Sequence, residues 1–595
     1  MANTETASPG TYDVEGPVQR AVVPPRSDRR SWLIPVATLL GFAIPAVSYL
    51  WMIHTYGVNV IFLDQWNDVT LIGHAFSGTL QLSMLWAQHN ENRIFFPNLI
   101  VIALAYTTHL NVLTEEYLSA FMAFGATALV ICAHKRRSPA RRWIWYCPVA
   151  FLMLSLAQAG NTLWGFQMAW YLVLLMVALT LFLLDQESQP WIVFAAAVVA
   201  AAVASFSSLQ GLLIWPAGLL LLYLRRRPRP LALAWIGSAL LTGVVYFVGY
   251  DFNVTQSSTQ QPGVEFNFFL RVVGDIVGAT QPGVLVTLFG SVLVVAAIWA
   301  LIRFTVRERT TTGGRPFALS LVFFGLLFAG LTASGRAGTG FSVEYRYTVF
   351  AVFVLLGLYL TVLDPPLASE PSSPQARSPI RRVGYRQILT DPLFALARVA
   401  VGFGIIITVI LGSANGIAQA RAVRANRLFL GQVTVRANQY PDPIVRFLYS
   451  GYESGQVVRR QIAIARKYRL SLFATGDAAA YLSEKPLHFG AFPPPHATVV
   501  KPGNGSTLRG RQFLDVTVQD PFDVTRVEFL LSGEGRQGTP LSTGGETNYG
   551  WIGAWNTSTV PNGTYTIDAA VTDSGGRSVT TVPVEVRVDN RNRSG

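Results

Sequence analysis

Apolar runs alternate with short polar loops along residues 32–416. The runs lie at about 32–53, 117–133, 143–158, 166–184, 191–206, 210–224, 231–250, 283–302, 317–333, 347–363 and 399–416. A helix needs roughly 20 apolar residues to cross a bilayer, so about eleven such runs predict a mostly α, polytopic transmembrane bundle. The connecting loops fall into two sets. One set is 134–142 (HKRRSPARR), 225–230 (RRRPRP), 303–316, 364–398 and the N-terminal tail, with about 22 Lys and Arg. The opposite set is 54–116, 159–166, 206–210, 251–282 and 334–346, with about four: Arg93, Arg271, Arg336 and Arg346. Basic loops stay in the cytoplasm, so the asymmetry predicts a cytoplasmic N-terminus and an extracytoplasmic chain after 416.

Residues 94–110 (IFFPNLIVIALAYTTHL) are also apolar enough to span. If they did, the basic HKRRSPARR loop would be carried outside. They are therefore expected to form a helix on the outer face. The tail 1–31 is expected to be disordered, and 32–53 to act as an uncleaved signal anchor. Beyond 416 the chain divides again. Residues 417–490 are charged and helix-favouring, and the Pro- and Gly-rich stretch AFPPPHATVVKPGNG within 491–505 reads as a linker. From about 497 onward FLDVTVQD, TRVEFLLSG, TYTIDAAVTD and TTVPVEVRVDN alternate apolar and polar residues between turn signals. About seven short strands predict a β-sandwich in the 491–595 segment.

Composition agrees. The chain of 595 residues is 51% hydrophobic and 13% charged, with a mean hydropathy of +0.37; soluble domains carry roughly 25% charged residues. The net charge of +13 sits in loops that face anionic headgroups, which argues for the lipid bilayer and against nucleic acid as partner. Cys132 and Cys147 fall near cytoplasmic ends of spans, where a disulfide is not expected.

Four polar clusters fall at the outer ends of the apolar runs. FLDQWND (62–68) places Asp64 and Asp68 four residues apart, on one face of a helix. A carboxylate there is placed to act as general base on a sugar hydroxyl, with Gln65 and Trp66 as contacts. A helix start with an interfacial Trp66 is the plainer alternative. WAQHNENRIFFP (86–97) gathers His89, Glu91 and Arg93. Two potential ligands make a poor metal site, so no metal or other cofactor is assigned, although a divalent cation stays open. LAQAGNTLWGFQ (156–167) with SFSSLQG (205–211) supplies Asn161, Trp164, Gln167 and Gln210, amides and an indole suited to hydrogen bonding and stacking on a sugar. SGRAGTGFSVEYRY (334–347) holds Arg336, Glu344, Tyr345 and Arg346. Guanidinium groups at a membrane interface suit a lipid-linked phosphate, while an Arg346–Glu344 pair that merely braces the loop is the alternative.

Two resemblances follow from these residues. KPGNGSTLRG (501–510), Val527-Glu528-Phe529 and WNTSTVPNGTYTI (555–567) resemble bacterial immunoglobulin-like modules. The layout over 32–416 resembles the GT-C superfamily of integral-membrane glycosyltransferases: a first span, an outer loop opening on an acidic motif (Asp64 in FLDQWND), then a polar motif with proline (HNENRIFFP) leading into an outer-face helix. HNENRIFFP stands where many members show a His-Pro-Pro or Lys-Pro-Pro run. The resemblance implies a bacterial plasma-membrane enzyme using a polyprenyl-phosphate-linked sugar and a cell-envelope glycan or lipid acceptor on the outer face. It implies Asp64 as base, Asp68 or Glu91 in support, and Arg336 and Arg346 on the donor phosphate. A non-catalytic scaffold or export component for surface polysaccharide is the rival expectation. The chain lacks GxxxxGK[ST], a nucleotide fingerprint, a CxxC pair and G-x-S-x-G, which disfavours an ATP-driven pump or a serine hydrolase.

Overall fold

The computed structural model describes residues 32–252, 262–278, 283–307, 311–337, 343–364, 392–440, 442–449, 455–487, 495–519, 524–547, 550–573 and 577–590. The expected disordered tail 1–31 and most of the basic stretch 364–398 lie outside these residues.

Helix α1 (Leu33–Tyr56) is followed by a loop carrying α2 (Gln65–Phe76), the short α3 (Leu82–Leu85), an antiparallel hairpin of β1 (Gln88–His89) and β2 (Asn92–Arg93), and α4 (Phe95–Thr108). Then come α5 (Val112–Arg137), α6 (Cys147–Met153), α7 (Ala159–Thr162), α8 (Met168–Leu184), α9 (Trp191–Ser205), α10 (Ile214–Leu224) and α11 (Arg229–Phe247). The bundle continues with α12 (Pro262–Gly274), α13 (Gly283–Leu301), α14 (Arg315–Arg336), α15 (Thr348–Leu363) and α16 (Pro392–Val435), and ends in α17 (Asp442–Arg446), α18 (Gly455–Lys467) and α19 (Asp477–Ser483).

Eight of the described stretches are long and apolar enough to cross a membrane, fewer than the eleven expected from the runs. The helices at Trp191–Ser205, Leu209–Leu224 and Thr348–Leu363 fall short. The reason is geometric. At 1.5 Å rise per residue they reach about 22–24 Å, against roughly 30 Å of hydrocarbon. Helix α15 is nonetheless buried on nearly every side. Helix α4 is shorter again, at 14 residues, and packs on α2, α5 and α8. Helix α16 passes residue 416 without a break, so the expected start of a separate helical segment at 417 lies inside one 44-residue helix.

The basic loops gather at one end around two buried acids. Asp185 is fully buried and faces Arg225 Nε at 2.6 Å, Arg137 Nε at 3.2 Å and Arg136 Nη2 at 3.8 Å. Arg225 also donates to the carbonyls of Thr311 (2.7 Å) and Gly313 (2.8 Å). Asp364 accepts from Ser138 Oγ and from the Gly314 amide (2.7 Å). His134, beside it, bonds the Leu360 carbonyl at 3.0 Å. The arginines that set the topology signal therefore also neutralise carboxylates at that end.

The C-terminal unit is a sandwich of two sheets. One runs β4 (Ser506–Leu508), β12 (Val584–Val588), β10 (Gly563–Asp573), β6 (Val524–Gly533), β7 (Arg536–Thr543), with β11 (Ser578–Thr580) also on β10. The other runs β3 (His496–Lys501), β5 (Arg511–Gln519), β9 (Gly550–Asn556), β8 (Gly545–Thr547). Alternation places Val527, Phe529 and Leu531 of β6 and Tyr565, Ile567, Ala569 and Val571 of β10 in its core. Lys501 Nζ donates to the Ala337 carbonyl at 3.1 Å, at the end of α14. Arg446 lies 3.7 Å from Glu546.

Removing one partner from a buried ion cluster leaves the others uncompensated, typically at about 3–5 kcal/mol. Asp185→Ala should therefore lower the thermal midpoint of the detergent-solubilised protein by several degrees, and more than Asp185→Asn does. Equal midpoints for Asp185→Ala and the parent would refute the role assigned to Asp185.

Candidate functional site

At the opposite end of the bundle the chain from 57 to 64 is pinned before α2 begins. Asn59 Oδ1 accepts from the Val112 amide and from Ser471 Oγ, both at 3.0 Å. Leu63 adopts a left-handed turn (φ 48°), after which Asp64 stands at the N-cap of α2. Its carboxylate faces His89 Nε2 at 3.7 Å.

His89 belongs to the Gln88–Arg93 hairpin, which turns at Asn90 in a left-handed conformation (φ 50°). Arg93 locks this hairpin. Its guanidinium donates to the carbonyls of Trp86 (2.7 Å), Val248 (2.8 Å) and Tyr246 (3.3 Å), and it lies against the Trp86 and Tyr250 rings. The Tyr246 and Tyr250 hydroxyls both donate to the Glu91 carbonyl at 3.0 Å. Asn92 Oδ1 accepts from the Leu209 amide (3.0 Å) and Ser208 Oγ (2.8 Å). Every backbone turn of the motif thus has a partner on another segment.

The hairpin forms one wall of a cavity of about 230 Å³. His89 and Glu91 face it from the hairpin, Gln167 and Gln210 from the starts of α8 and α10, and Arg336 and Arg346 from the far side. Phe166, Trp170, Tyr250 and Tyr347 supply ring surface, with Trp170 and Tyr347 roughly parallel, centroids 6.3 Å apart. Glu91 pairs with Arg336. Arg346 Nε lies 3.2 Å from Glu344 Oε2, a close ion pair that lacks hydrogen-bond alignment, since Nε has no hydrogen-bond partner. Burial opposes the charge on Arg346, but Glu344, Tyr347 and Asp64 outweigh it and raise its pKa. Asp64 therefore acts electrostatically on the same site as Arg346, although the two are 282 positions apart in the chain. Asn161 Nδ2 donates to the Arg346 carbonyl at 2.9 Å and so positions that residue.

Some expected contacts are placed elsewhere. Trp66 is fully buried in the hydrophobic core, not at the cavity, because it begins the inward face of α2. Gln65 bridges Glu115 Oε2 (2.6 Å) and the Phe62 amide (3.3 Å), which spends both ends of its amide on internal partners. Arg93 is committed to backbone carbonyls and is a structural clamp. Trp164 stacks behind Phe166 at 5.9 Å. Asp68 is buried; burial first, then Glu115 and Asp64, push its carboxyl well above the usual range, and it does not line the cavity. The Tyr345 side chain lies outside the described residues.

The structure adds residues that sequence reasoning missed. Phe166 with Trp170 is an i, i+4 aromatic pair at the start of α8, a spacing that places both on one face, while Tyr250 reaches the cavity from the loop after α11. Asp275, between α12 and α13, is fully buried, and burial raises its pKa to about 8 against the pull of Arg271. Nothing in the spacing of its neighbours marked it. Among the described residues no group of three or more His, Cys, Asp or Glu is arranged to hold a metal; His89 and Asp64 offer two donors.

Comparison with known proteins illuminates the sandwich alone. Residues 495–569 match the family model of a bacterial Ig domain. No curated protein matches the chain. Among solved structures, the chain is similar to fibronectin(III)-like modules of Clostridium thermocellum CbhA at 22% identity, covering 16% of this chain and 94% of that one, with a TM-score of 0.13. It is also similar to an endo-beta-1,4-mannanase from Thermotoga petrophila at 12% identity, covering 23% of this chain and 24% of the mannanase, with a TM-score of 0.14.

Because burial raises the Asp68 pKa, Asp68→Asn should match the parent's thermal midpoint near pH 4 and exceed it by pH 7. An acid whose folded pKa is raised loses stability as pH climbs from its unfolded value near 3.9 through the folded one, so Asn should gain on Asp toward alkaline pH. A large loss at neutral pH in circular-dichroism melts would show instead that Asp68 is charged and bonded.

Proposed function

We propose that this protein is an integral-membrane glycosyltransferase that moves a sugar from a polyprenyl-phosphate donor to a cell-envelope glycan or lipid acceptor. The single observation that carries this reading is the convergence of His89, Arg336 and Arg346 on one cavity at the end of the bundle poor in basic loops, with the Asp64 carboxylate 3.7 Å from His89.

In this reading the acceptor hydroxyl attacks the donor's anomeric carbon. The bond from that carbon to the phosphate oxygen breaks as the new glycosidic bond forms. The hydroxyl proton passes to the Asp64–His89 pair, within the 3.7 Å contact that joins them. The polyprenyl phosphate leaves with its charge against Arg346, a preorganised cation where negative charge develops. Arg346 spends one edge on Glu344; a guanidinium carries five donors, so that pairing does not exhaust it. Arg336 is held by Glu91 and frames the sugar side of the cavity. The sandwich, anchored through Lys501 at the carbonyl next to Arg336, is placed to present the acceptor.

Purified protein given a synthetic polyprenyl-phosphate sugar and envelope acceptor should transfer the sugar. Asp64→Asn should reduce kcat at least 100-fold, in line with loss of a general base, while Arg346→Ala should lower kcat and weaken donor binding. A second reading, a non-catalytic conduit or scaffold for polysaccharide, is favoured by the pairing of both cavity arginines with carboxylates, which leaves little net charge. If neither variant alters transfer, that reading replaces the first.

The orientation is part of the proposal: the cavity faces away from the cytoplasm. In intact bacteria an epitope tag at 138 should be shielded and one at 595 accessible to antibody. The reverse pattern would place the cavity on the cytoplasmic side and remove the case for a lipid-linked donor.

A further inference from the structure

The cavity wall contains polar atoms that the protein itself does not satisfy. Glu91 uses Oε1 on Arg336, while its Oε2 is buried and has no hydrogen-bond partner. Gln167, only 3% exposed, lines the same cavity with Oε1 likewise unpartnered. A buried acceptor without a donor costs roughly 1–3 kcal/mol, so where one lines a cavity a ligand or water donor can complete it. Both oxygens call for a donor. A sugar hydroxyl supplies one, and it serves the Gln167 amide whichever way that amide is turned.

The remaining walls narrow the class. Trp170 and Tyr347 offer flat apolar surface suited to the C–H face of a pyranose, with Gln210 at the margin. Arg336 is paired with the other oxygen of the Glu91 carboxylate, which neutralises it. A second negative charge brought to this side would meet Glu91 in a partly desolvated space, where like charges repel strongly.

Resting on the transferase reading, we infer that the sugar moiety bound here is a neutral or amino pyranose whose hydroxyl or ammonium groups donate to Glu91 and Gln167, and that Glu91 excludes sugar acids. Glu91 is then a specificity residue that touches the sugar, not a proton carrier. The phosphate binds apart from it, toward Arg346.

The test uses the full-length protein in nanodiscs with three probes: methyl glucoside, methyl glucosaminide and methyl glucuronide. Saturation-transfer NMR at pH 7 should show the first two binding at least tenfold more tightly than the glucuronide. Glu91→Gln, which keeps the shape and removes the charge, should shrink that preference to near unity or reverse it, because Arg336 then lacks its partner. Gln167→Leu should weaken methyl glucoside about tenfold, the effect of leaving a buried hydroxyl without its partner. Each glucoside-to-glucuronide ratio is read within one preparation, so loss of folded protein cannot imitate a change in it.

Equal binding of glucuronide and glucoside by the parent overturns the inference, as does a preference unchanged in Glu91→Gln, or no binding of any of the three. The outcomes separate from those of the transferase reading. A protein that transfers sugar yet does not discriminate keeps the activity and loses this assignment. One that discriminates but never transfers keeps the assignment and favours the conduit.

Discussion

The clamp of Arg93 on the end of α11 is the contact on which the site depends. One guanidinium satisfies the carbonyls of Trp86, Tyr246 and Val248, and thereby fixes a hairpin only six residues long. An isolated two-stranded hairpin is marginal in water. Here the cation meets carbonyls near the C-terminal end of a helix, where positive charge is favoured. With the hairpin fixed, His89 reaches Asp64, Glu91 reaches Arg336 and Asn92 caps the Ser208–Leu209 turn.

The two polar ends of the bundle use charge differently. At the basic end, Asp185 and Asp364 are enclosed and saturated by arginines, a hydroxyl and backbone amides. Such an arrangement braces loops and leaves no acceptor unmet among those contacts. At the other end the pairs are incomplete. Glu91 keeps one oxygen unpartnered, Gln167 keeps its carbonyl unpartnered, and Arg346 meets Glu344 without hydrogen-bond alignment. Buried polar groups are ordinarily satisfied; the basic end leaves Arg136 Nε and Arg227 Nε unpartnered, whereas at the cavity it is carboxylate and amide acceptors that lack a donor.

The candidate motifs were legible because they broke a pattern. Acids, amides and arginines stood out at the edges of apolar runs, and four such stretches proved to be neighbours. Their individual roles were not legible. Trp66 and Gln65 look identical in kind to Trp170 and Gln167 on paper, yet α2 turns the first pair into the core and toward α5. Asp64 and Asp68 share a helix face by spacing, but depth along that face leaves one beside His89 and the other buried, with its pKa raised by that burial. The Phe166–Trp170 pair carried a usable spacing signal that was masked by the abundance of aromatics at membrane interfaces.

Local chemistry in the chain alone determined that long apolar helices form, that basic and non-basic loops segregate, and that the last hundred residues alternate as strands. Those outcomes follow from backbone hydrogen bonding in an apolar medium and from side-chain period, which act over a few residues. Tertiary structure decided how many helices are long enough to span, that α16 continues past 416, and which polar side chain faces the cavity. Those outcomes turn on contacts between residues more than a hundred positions apart, such as Arg93 with Val248 and Glu91 with Arg336. Whether a carboxylate is paired, neutral or left with an open oxygen depends on what distant segments bring to it, and no local pattern encodes that.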